Sequence, residues 1–362
     1  MCKTPMHEFL AALPKCEHHL HIEGTFEPEL LFELAAKNKI VLPADKDAAF
    51  ASVEALKARY LTFANLDDFL GYYYIAMSAL VDAADYEALA YAYFQKAASQ
   101  SVRHAEVFFD AQVHTERGVA FETVVAGLKA AKARAERDFD LTVELIMCLV
   151  KHLPLPSAME TFAHARDGGF FADGTLLAVG MDSSEKPFPP RMWTELYDAA
   201  RAAGVRRTIH AGEEGPADYV VQSLDLLGAQ RIDHGLRTFE DPALVRRVVD
   251  EQIMLTTCPL SNLKLQCISS ISEFPLRKLL DAGVRFSVNS DDPAYFGGYI
   301  LENYWVLQDT FGLTATEWEG IARGAVLGSW CSEERRAQLL GQIDAVMLEW
   351  TPKLLESPQL KK

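Results

Sequence analysis

Eight short apolar runs, separated by helix-like stretches, constrain the fold of this chain more than any other feature. The runs are Cys16–Ile22, Val102–Asp110, Leu141–Val150, Leu176–Asp182, Arg207–Ala211, Arg231–His234, Ile253–Cys258 and Arg285–Ser290. Most are continuously apolar rather than alternating, which is the pattern of parallel strands covered on both faces. Between them, Phe121–Arg137 is rich in Ala, Lys and Glu. Pro190–Ala203 begins with Pro and stops before Gly204, the usual order of helix signals. Leu244–Glu251 and Glu273–Ala282 are shorter, and Gly283 stops the second. Eight strands separated by helices predict a closed (β/α)8 TIM barrel of the α/β class.

A chain of 362 residues fits one such barrel with additions. We therefore expect a single domain over residues 1–362. Glu27–Ser101 is too long for one crossover and reads as a helical insertion near the barrel mouth. The tail from Glu302 is also helical in pattern and is expected against the barrel exterior.

Charge and cysteine usage exclude some functions. A net charge of −16 argues against general binding to nucleic acid or an anionic membrane, and favours a neutral small-molecule substrate. No apolar run is long enough to span a bilayer, and the first residues lack a secretory pattern. The cysteines at 2, 16, 148, 258, 267 and 331 form no C-x-x-C pair, so reduced thiols in the cytoplasm are expected.

His19-Leu20-His21 places two imidazoles two residues apart on the first strand, so both point to one face and can reach one ion at its C-terminal end. His210 and Asp291 each lie where a predicted strand ends, and barrel active sites sit at that face. Three imidazoles and one carboxylate suit zinc, one ion per chain, with a position left for water. Singly, each residue has a structural reading: a hydrogen-bonded core histidine, or a capping Asp. His234 is a fourth imidazole at a strand end, whereas His18 points to the other side of its strand. The histidines at 7, 104, 114, 152 and 164 read as surface or helix residues.

The strings L-P-K-C-E-H-H-L-H-I-E-G, H-A-G-E, R-I-D-H-G, C-P-L-S-N and S-D-D-P-A-Y-F-G-G run in order from Leu13 to Gly298. Together they resemble the adenosine/adenine deaminase branch of the amidohydrolase superfamily. The resemblance implies zinc ligands at His19, His21, His210 and Asp291. It implies Glu213 as proton donor to the purine ring and His234 as the group that orients and deprotonates the zinc-bound water, with Asp291 able to share that proton. It implies Asp292 as a partner for purine N7, and it places Ser183 near the backbone position that meets N3. Adenosine-deaminating members carry Asp where this chain has Glu23, and that Asp contacts a ribose hydroxyl. The extra methylene, at most about 1.5 Å, would intrude on the ribose space or meet the imidazole N–H of a free base. The resemblance is closer to adenine deaminases, including the fungal enzymes, and implies hydrolysis of adenine to hypoxanthine and ammonia. Deamination of adenosine or of N6-substituted adenines stays open, as do two-metal amidohydrolase chemistry and a non-catalytic barrel. The fourth run, L-L-A-V-G-M-D, lacks the lysine that often bridges two metals. The aromatic stretch from Tyr60 to Tyr74 reads either as a lid over the site or as helix core.

Overall fold

The computed structural model describes residues 4–356. Its eight strands are β1 Lys15–Glu17, β2 Val102–Asp110, β3 Thr142–Val150, β4 Ala178–Asp182, β5 Arg206–Ala211, β6 Arg231–His234, β7 Met254–Thr257 and β8 Phe286–Val288. They are hydrogen-bonded in sequence order, and every neighbouring pair is parallel. The predicted barrel is therefore the observed architecture. Its eight-strand wall closes through the residues that follow β8: Asp291 N–H donates to His19 O at 3.0 Å, and His21 N–H donates to Asp291 O at 3.1 Å.

This closure explains why β1 is shorter than its apolar run. The chain from His18 to Ile22 leaves the regular ladder and forms isolated bridges, Leu20 to Asp291 and His21 to Phe108. His19 and His21 thus converge through these bridges rather than through the pleat of one continuous strand. Other strand ends move by a residue or two, as expected where apolarity outruns pairing. Two predicted helices divide. Pro190–Trp193 is a 3-10 turn before the helix Thr194–Ala202, and Ile271–Glu273 is a 3-10 turn before Leu276–Ala282. In the second case Pro275 lacks an N–H and restricts the residue before it, so no helix runs through.

Glu27–Ser101 folds as the helices Pro28–Asn38, Val53–Tyr60, Leu66–Met77 and Ala83–Ser99, with a 3-10 turn at Ala48–Ala51. Ser52, Asn65 and Asp82 cap three of these, each side chain accepting from a backbone N–H of the first turn. Leu66–Met77 buries Phe69, Tyr72 and Tyr73 on one face, and Tyr60, Phe69 and Tyr73 pack on Tyr295 of the loop after β8. That contact holds the helix over the strand ends. The tail forms Ile300–Phe311, Ala315–Gly328 and Glu333–Glu356. The first and last of these pack on the N-terminal helix Pro5–Ala12, and Ala315–Gly328 packs on β1 and β8.

A small interior cluster of Phe108, Ile146, Cys148 and Ala178 fills the barrel. A far larger apolar layer lies between strands and helices, where each buried large side chain contributes about 1.5–3 kcal/mol. Sequence placed His104 on the surface or a helix, but it lies on β2 with none of its surface exposed. Its ring bonds Thr142 at 2.8 Å and Glu106 at 3.1 Å, which satisfies both nitrogens in the interior. The five described cysteines are unpaired, and Cys2 lies outside the described residues. Among the described residues, no helix is long and apolar enough to cross a membrane.

Candidate active site

The C-terminal ends of the strands gather His19, His21, His210 and Asp291 closely enough to hold one metal ion. His19 Nε2 lies 3.2 Å from Asp291 Oδ1, and His21 Nε2 lies 3.5 Å from the same oxygen. The Nε2 atoms of His21 and His210 are 3.2 Å apart. Their protonation follows from what lies behind them. His210 Nδ1 faces the carbonyl of Met181 at 3.1 Å, which can only accept, so Nδ1 carries the hydrogen. His21 Nδ1 faces the Asp182 carboxyl at 3.4 Å. Thr256 donates to Asp233 at 2.9 Å, so its oxygen accepts from His19 Nδ1, also at 2.9 Å. Three imidazole nitrogens and a carboxylate therefore face one point, and His19 Nε2 has no hydrogen-bond partner. A metal ion would satisfy that arrangement, and nitrogen and oxygen donors on oriented rings suit zinc. Burial, the main cause, pushes His21 down to about 3 and His210 well below its ordinary range, which keeps both as neutral ligands.

Backbone conformation at this rim is unusual. Ser183, His234 and Asp291 have φ of 69°, 62° and 65°. A non-glycine residue held there costs about 1–3 kcal/mol and persists when its surroundings fix it. Ser183 directly follows β4, His234 ends β6 and Asp291 lies three residues past β8, so each turn sits at the rim that carries the site.

Glu213 follows β5 on the loop that begins at His210. Asn262 donates to its Oε1 at 2.9 Å, and its Oε2 lies 3.5 Å from His234 Nε2. Burial, reinforced by the charges of Asp291, Glu185 and Glu214, holds the Glu213 carboxyl well above the usual range. It therefore keeps a proton. Asp292 is raised in the same direction by burial and by Asp291. Gly24 makes room for it: a Cβ there would collide with Asp292 Oδ1.

A cavity of about 400 Å³, including its open mouth, lies above this cluster. His21, His210, Glu213, His234, Asp291, Asp292 and Ser183 line it, with Phe69, Tyr73 and Tyr74 of the covering helix. The aromatic stretch is thus both helix core and roof. Glu23 is not among the lining residues. Its Oε1 accepts from Asp110 N–H at 3.1 Å and from His114 Nε2 at 2.8 Å, and Arg117 donates to His114 Nδ1 at 2.9 Å. His18 points away from the cluster as expected, bonding Ser329 at 2.7 Å. Lys151 Nζ donates to His210 O at 2.7 Å and has no bridging position.

Sequence reasoning missed Asp110, Asp182, Glu185 and Asn262. Asp110 and Asp182 carried the same signal as His210, a polar residue closing an apolar strand at the reactive face. Glu185 accepts from the N–H groups of Gly212, Glu213 and Gly215 at 2.9, 2.8 and 3.0 Å. No local pattern announces a carboxylate that ties one barrel loop to the next.

A family model described as adenosine deaminase matches residues 14–346. The adenine deaminase of Schizosaccharomyces pombe is 53% identical, covering 99% of this chain and 98% of its own length. The crystal structure of an adenine deaminase from Arthrobacter aurescens superposes with a TM-score of 0.87 at 40% identity, over 94% of this chain and 99% of that one. An amidohydrolase from Burkholderia ambifaria, solved with bound Zn, gives a TM-score of 0.86 at 25% identity, over 97% and 96% of the two chains.

Proposed function

The chain belongs to the adenosine deaminase family, and from that premise we propose that it is a zinc-dependent adenine deaminase, converting adenine and water to hypoxanthine and ammonia. The observation that carries the chemistry is the buried Glu213 carboxyl, held toward its protonated form by burial, lining one cavity with His21, His210, His234 and Asp291. Similarity to named adenine deaminases supports the choice of substrate.

His19, His21, His210 and Asp291 would hold the zinc. Once bound, it supplies a Lewis acid that brings the pKa of water from 15.7 toward about 7. His234, kept neutral by burial, lies 3.9 Å from Asp291 Oδ2 and is placed to orient the attacking water and accept its proton. As C6 becomes tetrahedral, charge would build up at N1. Glu213 donates its proton there, so the ring stays neutral. Asp292, protonated by the same burial, donates to N7 and fixes the base in the plane of the cavity. Ser183, whose backbone is turned inward, meets the N3 side. His234 passes the proton it took from water to the departing amino group, which leaves as ammonia. The proton of the new C6 hydroxyl passes to Glu213, and the 6-oxo base remains. Such a reaction returns the base to the purine pool, in purine salvage in the cytoplasm.

Steady-state kcat/KM on adenine and adenosine, measured beside metal content, tests the reading. About one zinc per chain and a large preference for adenine are expected. A preference for adenosine would keep the site and overturn the substrate. Two metals per chain would overturn the mechanism.

A further inference from the structure

A free purine base differs from its nucleoside at one place: it has an N–H where the nucleoside carries a sugar. A base that accepts at N7 carries that hydrogen at N9, on the side of the ring opposite C6. With C6 over the histidine cluster, N1 at Glu213 and N7 at Asp292, an acceptor is needed for N9–H. An unmatched donor there would be a buried polar group without a partner, which is costly.

The cavity offers few candidates. Asp182 lines the cavity too and neither of its oxygens has a hydrogen bond, but its Oδ2 faces His21 Nδ1 at 3.4 Å, which assigns it to orienting that ring. The Ser183 hydroxyl is engaged by His152 at 2.9 Å and by the Tyr74 hydroxyl at 3.4 Å. Glu23 was the sequence-based candidate, but His114 and the Asp110 N–H hold it behind the wall. Asp110 remains. It ends β2, lines the cavity and is 2% exposed. Its Oδ2 accepts from the Tyr73 hydroxyl at 3.3 Å, while its buried Oδ1 has no hydrogen-bond partner. The bond from its own N–H to Glu23 fixes the backbone that carries it.

We propose that Asp110 sets the preference for base over nucleoside, by accepting N9–H through the unpartnered Oδ1 and by occupying the space an N9 substituent needs. This rests on the adenine orientation above. Glu23 then acts one layer back, as a positioning residue for the Asp110 backbone.

The test is calorimetric binding of purine and of 9-methylpurine to the zinc-loaded protein, with Asp110→Ala and Asp110→Asn. Neither probe has a 6-amino group, so binding is read without turnover. The unsubstituted protein is expected to bind purine about 10-fold or more tighter than 9-methylpurine, the scale of one buried hydrogen bond. Asp110→Ala should bring the two within about threefold, chiefly by weakening purine, with Asp110→Asn between. Equal losses for both ligands, or no loss for either, would overturn the proposal. If the Ala variant does not fold, the Asn variant decides by the same ratio. Adenine turnover by the unsubstituted protein is scored separately. Purine preference without adenine turnover sinks the proposed reaction and leaves Asp110 its role. Turnover without purine preference sinks the Asp110 assignment alone.

Discussion

The two ends of the barrel treat buried charge in opposite ways. Toward the N-terminal end, Arg231 donates to Glu106 at 2.6 Å, and His104 and the Trp330 N–H converge on the other Glu106 oxygen at 3.1 and 2.5 Å. Lys15 Nζ donates to three carbonyls at 2.6–3.0 Å. Glu17 accepts from Tyr93 at 2.7 Å and twice from Ser290, at 3.0 and 2.5 Å. Arg231 also stacks on Trp330, 3.8 Å from the ring centre. At the C-terminal rim, His19 Nε2, Asp110 Oδ1, Asp182 Oδ1 and Oδ2, His234 Nδ1 and Asp292 Oδ1 lack partners. Three non-glycine residues there hold left-handed backbone. One end ties its charged groups into ion pairs and hydrogen bonds, leaving only single nitrogens such as Arg231 Nε and His18 Nδ1 without partners, and the other leaves carboxylate oxygens unpartnered around a cavity. The stable end makes the strained end possible, because the barrel wall is continuous between them.

The sharpest way to break this contrast is at Glu213. Glu213→Gln should retain zinc and melting temperature yet lose about 10²–10⁴-fold in kcat, the usual worth of a general acid. Near-normal turnover would remove Glu213 from the proton-donor role. Arg231→Met is the counterpart at the other end. It strands Glu106 as a buried charge and should cost about 3–5 kcal/mol of stability, while kcat per folded, metal-loaded molecule stays unchanged. A denaturation midpoint near that of the unsubstituted chain would show that the N-terminal network is not what holds the barrel.

Glu185 joins the two kinds of behaviour, since a fully paired carboxylate there positions the loop of Glu213. Glu185→Gln puts an amide N–H against backbone N–H donors and should lower kcat by about tenfold with KM within threefold. A rise in KM with kcat unchanged would assign Glu185 to substrate binding instead. The pH profile carries the next effect. The Glu213 carboxyl must be protonated to donate, and its pKa is raised. Activity should persist above the usual carboxylate range and fall as pH climbs through that raised value. The same group binds more protons folded than unfolded above its unfolded pKa, so its contribution to stability also declines as pH rises across that window. A kcat that rises through the alkaline range would contradict both signs. The smallest effect is expected at Glu23. Glu23→Asp should lower stability by about 1 kcal/mol by lengthening the bond from His114, yet change the ratio of adenine to adenosine turnover less than about threefold. A large shift toward adenosine would return Glu23 to the substrate.

Much of the barrel was legible because its requirements are local. A parallel strand covered on both faces must be a continuous apolar run, and β2 and β6 have the bounds their residues predict. The H-x-H, H-A-G-E and S-D-D strings point to ligands because imidazoles and carboxylates at the reactive ends of strands have few structural uses in such numbers. The extension of β1 through His21 was misjudged, since apolarity does not report where a hydrogen-bond ladder stops. The division of two helices at Trp193 and Pro275 depended on turn geometry that composition only hints at.

By itself, the sequence determined the repeated strand and helix order and singled out His19, His21, His210, Asp291 and Glu213, which the fold brings to one cavity or cluster. It did so because periodicity and residue chemistry are properties of short segments. Tertiary structure alone decided that His19 and His21 converge through bridges to Phe108 and Asp291, that Glu185 anchors the Glu213 loop, and that Glu23 lies behind the wall while Asp110 faces the cavity. Those are contacts between residues tens to hundreds of positions apart, and no local pattern specifies which of two buried carboxylates the packed barrel turns toward its ligand.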